Sequence, residues 1–390
     1  MRIAFAANPL PGHIIPMIPL MRAALAAGHH VAVITAAAAS SFIAAEASPD
    51  IDVLSAGLPT LEAMQVMRRQ TGVSPATEPR PDVIAEYFAV RRVGNDADDA
   101  VRVARAWQPD VVVSESSDHV GPYVAEALSV PFFRHTYGPE RSEAVRIAMA
   151  AAVDRASRDR GVVLPAVTAW IDAYPSFLED AATQRPGQRI SMRPEPHRRH
   201  PSAADEVVDL PEAADGRRRV LVTMGTVFTD QHLLDRVIAS IRATDLAADL
   251  VVTAVNGVGA VIEPGSAVTV LNVPFRALTE LLDAVDAVVT VGGAGTVLGA
   301  LTLGVPMVVV PQGADHEVNA ARAVAAGSAL VERDPVAIGP VLRRLLQDDR
   351  MALSARWTAA RIGDLPPVTD ALARLEALST DLAGGAVRAG

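Results

Sequence analysis

The chain of 390 residues contains neither cysteine nor lysine. Without cysteine there is no disulfide framework, no thiol nucleophile and no cysteine-ligated metal, while the redox compartment stays open. Without lysine, a P-loop with its Gly-Lys pair is excluded. All 35 basic residues are arginine, which, with the alanine richness, looks like high-GC coding bias and supports no inference about a site. No uninterrupted apolar stretch reaches the ~20 residues of a spanning helix. The start, MRIAFAANPLPGH, offers a five-residue apolar run before Asn8 and Pro9, too short for a signal-peptide core. A cytoplasmic protein without a membrane span is therefore expected. An excess of positive charge is also missing: the net charge of −10 and the pI near 5.4 argue against nucleic-acid or anionic-membrane partners. No two histidines show a metal-ligand spacing with carboxylates, so no metal is expected.

What is present suits two α/β domains. Half the residues are hydrophobic and 21% are charged, and the length allows two cores. A strand at 3–7, a Pro/Gly turn, an apolar helix ending at Gly28 and a strand at 31–35 make a βαβ opening. Further strands are expected at 110–114 and 131–135, with helices at 99–107 and 121–128. The stretch 55–93 reads as irregular and 138–185 as helical. Residues 193–216 are rich in Pro, Arg and acids without hydrophobic periodicity and read as an interdomain linker. A second Rossmann-like unit starts at the strand 219–223. The boundaries are thus 1–192, linker 193–216, 217–363, and a closing segment 364–390.

The segment 286–324 is the most informative. A short buried strand runs into Gly292, Gly293, Ala294 and Gly295, and Thr296 opens a helix. Glycine lets backbone approach a ligand closely, and a helix start offers free N–H groups and a positive dipole end, a seat for phosphate. A second strand then leads through Pro311 to polar Asp315, His316 and Glu317, side chains able to bind hydroxyls. A G-x-G-x-x-G fingerprint fits poorly, because Leu298 stands where its last glycine is required.

These residues resemble the donor-sugar signature of inverting, metal-independent GT-B glycosyltransferases, H-G-G-x-G-T, A-L-x-x-G-V-P and P-x-x-x-D-Q-x-x-N-A-x-R. The matches are Gly292, Gly293, Gly295, Thr296, Ala300, Leu301, Gly304, Val305, Pro306, Pro311, Asp315, Asn319, Ala320 and Arg322. Val291 replaces the family histidine and His316 the glutamine. The resemblance implies two Rossmann-like doubly wound domains facing a cleft, with the closing helix packed back on the first. It also implies donor contacts from Gly225 and Thr226, and from Asn272 and Val273 at an element that usually carries a stacking aromatic.

His13 lies on the loop after the first strand, at the sheet edge where open α/β sheets bind ligands. An imidazole titrates near neutrality and can take a proton from an attacking hydroxyl. Gly12, His13 and Pro16 also match the family's G-H-x-x-P, whose histidine is the base. The resemblance puts its carboxylate partner at Glu115, with Asp118 as the alternative. Acceptor contacts are expected from Gly12, Met64, Met67, Phe88, His135, Tyr137 and Trp170; for Met64, Met67, Phe88, Tyr137 and Trp170 core packing is the alternative role.

The chain so read resembles actinobacterial antibiotic-tailoring transferases. It would move a (deoxy)sugar from a nucleotide sugar, dTDP before UDP, to a hydroxyl of an apolar aglycone, without a cofactor, as a monomer or homodimer. The alternatives are a transferase-like binding protein that lost catalysis and a nucleotide-sugar epimerase. Thr226, Thr290, Thr296 and the backbone of 293–295 are expected to compensate for Val291.

Overall fold

Short β-branched runs such as VVVSE and AVVT are buried on both faces, as parallel strands between two helical layers must be. In the computed structural model, such runs build two all-parallel sheets. The described residues are 1–75, 78–183, 185–200, 216–225, 230–253, 267–273, 277–313 and 315–388, with side chains as far as Leu382.

The first sheet contains β1 (Arg2–Ala6), β2 (His30–Thr35), β3 (Asp52–Ser55), β4 (Val111–Glu115), β5 (Phe132–His135), β6 (Ala169–Asp172) and β7 (Arg189–Ser191). Their order is β3-β2-β1-β4-β5-β6-β7. The second contains β8 (Arg218–Thr223), β9 (Ala248–Thr253), β10 (Val268–Val273), β11 (Ala287–Thr290), β12 (Met307–Val309) and β13 (Ala329–Val331), in the order β10-β9-β8-β11-β12-β13. Each order reverses once, between β1 and β4 and between β8 and β11. A crevice opens at such a switch point, beyond the carboxyl ends of the strands. The doubly wound fold read from the sequence is present twice.

The chain divides into two units, Met1–Ser176 with Ala181–Arg193 and Leu365–Gly390, and Phe177–Asp180 with Pro194–Asp364. The expected linker 193–216 falls largely on residues 201–215, which lie outside the described residues. In the second unit the carbonyl of His197 accepts a hydrogen bond from the Thr279 hydroxyl. The last helix, Val368–Arg388, belongs to the first unit. Ala371, Leu372 and Leu375 recur at helical spacing and are buried in the core around Phe5 and Val33. Its Glu376 carboxylate bonds the His29 ring.

Two sequence readings need correction. The described residues of 55–93 are largely helical: Thr60–Thr71 is one helix, and Pro81–Ala85 continues through a π-helical turn, Glu86–Arg91, into Arg92–Trp107. Pro81 sits in a first turn, where its missing N–H costs nothing. Burial of Met67, Val83 and Tyr87 in one cluster then stabilises a segment whose local pattern is weak. The stretch 138–185 is helical only over Glu143–Asp159, and β6 follows within it. Ile171 and Ile190 extend the sheet and are buried in the core.

Candidate functional site

Proline sets the geometry after β1. Pro11, Pro16 and Pro19 each stand in the first turn of a short helical piece, Pro11–Ile14, Ile15–Met17 and Ile18–Ala26. Proline fits there because its lost N–H has no helical partner. The first piece carries His13 to the end of β4, the neighbouring strand. Nδ1 of His13 lies 2.9 Å from Oε1 of Glu115, the last residue of β4. Nδ2 of Asn8 donates to the same oxygen at 2.5 Å, and the Ser117 N–H donates to Oε2 at 2.5 Å.

Glu115 is fully buried, whereas 13% of the His13 side chain is exposed. Burial alone would raise the Glu115 carboxyl. The charge and hydrogen bond of His13, with the bonds from Ser117 and Asn8, outweigh it and hold the group at about 2. An ionised carboxylate only accepts, so Nδ1 carries the proton and Nε2 keeps a lone pair. That is the tautomer of a general base.

Asp118 is not the partner of His13. Its Oδ1 accepts from the N–H groups of Val120 (3.1 Å) and Gly121 (2.8 Å), where the chain turns into helix Gly121–Leu128. Its Oδ2 lies 3.6 Å from Arg92. Burial, opposed by Arg92, raises its pKa. Beneath, Arg134 donates to the carbonyls of Glu115 (3.3 Å) and Asp118 (2.5 Å), tying down the turn that aims Glu115.

Around His13, the Tyr137 ring lies 4.9 Å away and the Phe88 ring 6.0 Å, centroid to centroid. Phe88 stands on the π-helical turn, a rare geometry that recurs at functional sites. Gly12 is exposed, and a Cβ there would meet nothing within 4 Å. Met64 is half-buried beside Phe88, while Met67 is core. His135 is fully buried, so it lies beneath the site and not on its wall; burial lowers its pKa to about 4. Trp170 packs under the Arg189 guanidinium, 5.0 Å from its ring, on β6.

In the second unit the turn after β11 leads into helix Ala294–Leu303, whose first turn has no side-chain cap. Its opening N–H groups are therefore available to an anion. Gly292 has φ of +98°, and a Cβ there would fall 2.8 Å from Val309 Cγ1, so the fold itself demands glycine. Gly293 and Gly295 differ: a Cβ on either would meet nothing within 4 Å. Asn319 donates to the Gly292 carbonyl (2.8 Å) and to Asp315 Oδ2 (2.9 Å), fastening the polar loop to the glycine turn. Asp315 stays exposed.

Residues 236–377 match the family model for the C-terminal domain of erythromycin biosynthesis protein CIII-like proteins. Elloramycin glycosyltransferase of Streptomyces olivaceus is 29% identical over 408 residues, covering 96% of this chain and 97% of that one. L-demethylnoviosyl transferase of Streptomyces niveus is 29% identical over 344 residues, 85% of this chain and 84% of that one. The solved glycosyltransferase SnogD of Streptomyces nogalater is 27% identical, covers 97% of this chain and 99% of its own, and has a TM-score of 0.78. The fold is that of the GT-B glycosyltransferases. SsfS6 of Streptomyces sp. SF2575, complexed with thymidine diphosphate, shares it at a TM-score of 0.78 and 24% identity, over 96% of this chain and 99% of that one.

Within this GT-B fold, the residues expected to contact a donor stand as follows. His316 is buried and its Nδ1 accepts from the Gln312 N–H at 3.3 Å, so the ring faces its own loop. Burial also lowers its pKa. Val291 is 1% exposed and belongs to the core of the second unit. Its Cγ2 lies 3.6 Å from where a Cβ on Gly225 would stand. Thr290 already accepts from the Gly292 N–H at 3.3 Å. Thr296 is half-buried in the first turn. Val273 is buried and Asn272 half-buried at the end of β10, while Thr226 lies outside the described residues.

Asn8 and Ser117, which both bond Glu115, escaped the sequence reading as site residues. A single Asn or Ser carries no periodic signal. Only the pairing of β1 with β4 makes Asn8 a neighbour of Glu115. Among the described residues, no group of three or more His, Asp or Glu could hold a metal ion, and no helix is long and apolar enough to cross a membrane.

Proposed function

We propose that this chain is an inverting glycosyltransferase, independent of metal. It transfers a (deoxy)sugar from a nucleoside diphosphate donor, dTDP-linked before UDP-linked, to a hydroxyl of an apolar natural product. The carrying observation is the His13–Glu115 pair at the switch point of the first sheet. Nε2 of His13 takes the acceptor proton as the acceptor oxygen bonds the anomeric carbon. The bond from that carbon to the diphosphate oxygen breaks, and the nucleoside diphosphate leaves with the electron pair. Glu115 stabilises the imidazolium formed on the way.

The uncapped start of helix Ala294–Leu303, with open space at Gly293 and Gly295, supports diphosphate binding by backbone N–H groups in the role a cation plays elsewhere. Exposed Asp315 suits a sugar hydroxyl. The named relatives are antibiotic-tailoring transferases, and thymidine diphosphate is the ligand in SsfS6, which favours the dTDP donor. In this reading His13 and Glu115 of the first unit act on the acceptor, and the glycine turn of the second unit holds the donor.

The test is mass-spectrometric turnover of dTDP- and UDP-sugars, with and without an aglycone library, before and after EDTA. Acceptor-dependent release of dTDP with a glycosylated product, unaffected by EDTA, is the expected result. His13→Ala should lower transfer by ~10²–10⁴-fold while dTDP affinity holds. Donor epimerised without acceptor, or bound without turnover, would replace this reading by an epimerase or a binding protein. NMR of the product anomer decides inversion.

A further inference from the structure

Arg141 stands beside the base without an ionic partner of its own. It is half-buried, and its Nη2 donates to the hydroxyls of Ser117 and Tyr137, the latter at 3.5 Å. Those hydroxyls are themselves 2.7 Å apart. Among the described residues no carboxylate pairs with Arg141, and these are its hydrogen bonds. A guanidinium has five N–H donors in a flat fork. Here one nitrogen is spent on two neutral oxygens, and the Nε and Nη1 edges are left over.

The placement links this cation to the chemistry. Tyr137 is the ring 4.9 Å from His13, and the Ser117 N–H holds Oε2 of the carboxylate that aims His13. Burial opposes the charge of Arg141. The Tyr137 hydroxyl and the fields of Glu115 and Glu140 more than offset that and raise its pKa, so it stays cationic at any working pH. A fixed charge one side chain away from His13, held by neutral groups, is suited to recognise an anion.

We propose that Arg141, positioned by Ser117 and Tyr137, is an acceptor-specificity residue that binds an anionic oxygen, a carboxylate or an acidic phenol, carried by the acceptor near the hydroxyl that His13 deprotonates. This rests on the reading of the His13 site as the acceptor site. It narrows the acceptor from any apolar hydroxyl compound to one with an acidic oxygen beside the reacting one. Phe88 and Tyr137 offer ring faces to the apolar body of such a molecule.

The experiment measures binding without any donor, so that it does not depend on turnover. The probes are a hydroxynaphthoate, with hydroxyl and carboxylate on adjacent ring carbons, and naphthol, which lacks the carboxylate; both are followed by their own fluorescence. The wild-type chain should bind the acid about 10-fold or more tighter than naphthol, as one charge-assisted hydrogen bond supplies. Arg141→Gln should bring the acid down to the affinity of naphthol, with the melting temperature and dTDP affinity unchanged. Arg141→Lys should keep part of the preference. Should the glutamine variant not fold, Tyr137→Phe, which frees the guanidinium from one of its holders, must weaken the preference. A wild type that binds the acid no tighter than naphthol overturns the proposal. So does a preference that survives in Arg141→Gln, or a loss of dTDP affinity there in its place, which would make Arg141 a donor residue. Absence of sugar transfer with every donor would count against the transferase alone, because anion preference is read separately.

Discussion

Replacing Glu115 by glutamine should remove catalysis while leaving the fold in place, and the hydrogen bonds say why. The carboxylate accepts three bonds, from Asn8 and His13 on Oε1 and from Ser117 on Oε2. A glutamine of the same shape accepts on one side only. The Ser117 N–H is backbone and cannot turn away, so the amide oxygen must face it and the amide nitrogen must face Asn8 and His13. Asn8 can answer by flipping, because its Oδ1 has no partner in the native arrangement. His13 can answer by moving its proton from Nδ1 to Nε2. All groups are then satisfied, and the base has lost the lone pair with which it would take the acceptor proton.

The magnitude has two parts. The carboxyl sits at about 2 against an ordinary 4.5, a difference of about 2.5 units, or roughly 3 kcal/mol favouring the charged form in the folded chain. That sets a ceiling on the stability lost, and the rearrangement above returns part of it. A folded protein with a modestly lowered melting temperature is the expected outcome. The rate should fall by ~10²–10⁴-fold, since a general base in the wrong tautomer contributes little. Single-turnover transfer and calorimetric melting measure both quantities on one preparation. Transfer within 10-fold of wild type would refute the tautomer argument, because the imidazole would then not depend on Glu115 for its orientation or its proton.

Three further outcomes follow from the same geometry. Glu115 has a lowered folded pKa, so its stabilisation is complete above pH 4.5 and lost as pH falls towards 2; buried Asp96 and Asp118, with raised values, act in the opposite direction. The stability gap between wild type and Glu115→Gln should therefore close over that window in urea titrations, and a gap independent of pH would contradict the assigned shift. Val291→His puts an imidazole into the core against Gly225, where an unsatisfied polar group costs ~1–3 kcal/mol. Its melting temperature should drop and dTDP should bind no tighter, whereas a stable variant with ~10-fold better affinity would show the site wants the histidine. Gly293 has φ of −59° and ψ of 140°, which alanine adopts freely, so Gly293→Ala should keep or gain stability, by ~0.4–1 kcal/mol, and lose dTDP affinity. Gly292→Ala, at φ +98° and 2.8 Å from Val309 Cγ1, should instead destabilise the fold; calorimetric titration with dTDP, alongside melting, tells the two apart, and unchanged affinity in Gly293→Ala would mean the open space is not the donor's.

Strands of the two parallel sheets were legible because burial on both faces leaves a continuous β-branched run that helices do not imitate. The runs 111–114 and 287–290 show it. The stretch 55–93 was not legible, since its helices are held by Met67, Val83 and Tyr87 meeting across 20 residues of chain. The strand that carries Trp170, four residues between β5 and β7, stayed hidden for the related reason that so short a run shows no period. His13 and Glu115 could each be placed at a strand end by position alone. Choosing Glu115 over Asp118 needed the partners of both, because three residues of separation in a turn decide which carboxylate faces the imidazole and which closes the next helix.

Glycine shows the same limit more sharply. Gly292, Gly293 and Gly295 look equivalent in a motif, yet Gly292 is required by Val309 and a positive φ, while the other two are required by nothing in the protein. On the proposed function, what would ask for glycine there is a diphosphate that must come close to the opening N–H groups of an uncapped helix. Arg141 obeys the same logic with opposite chemistry: a cation paired with two neutral hydroxyls is accounted for by a charge the protein does not supply. On the proposed function, the groups that the folded chain alone leaves unexplained, Gly293 and Gly295 in the second unit and Arg141 in the first, are the ones that its ligands would explain.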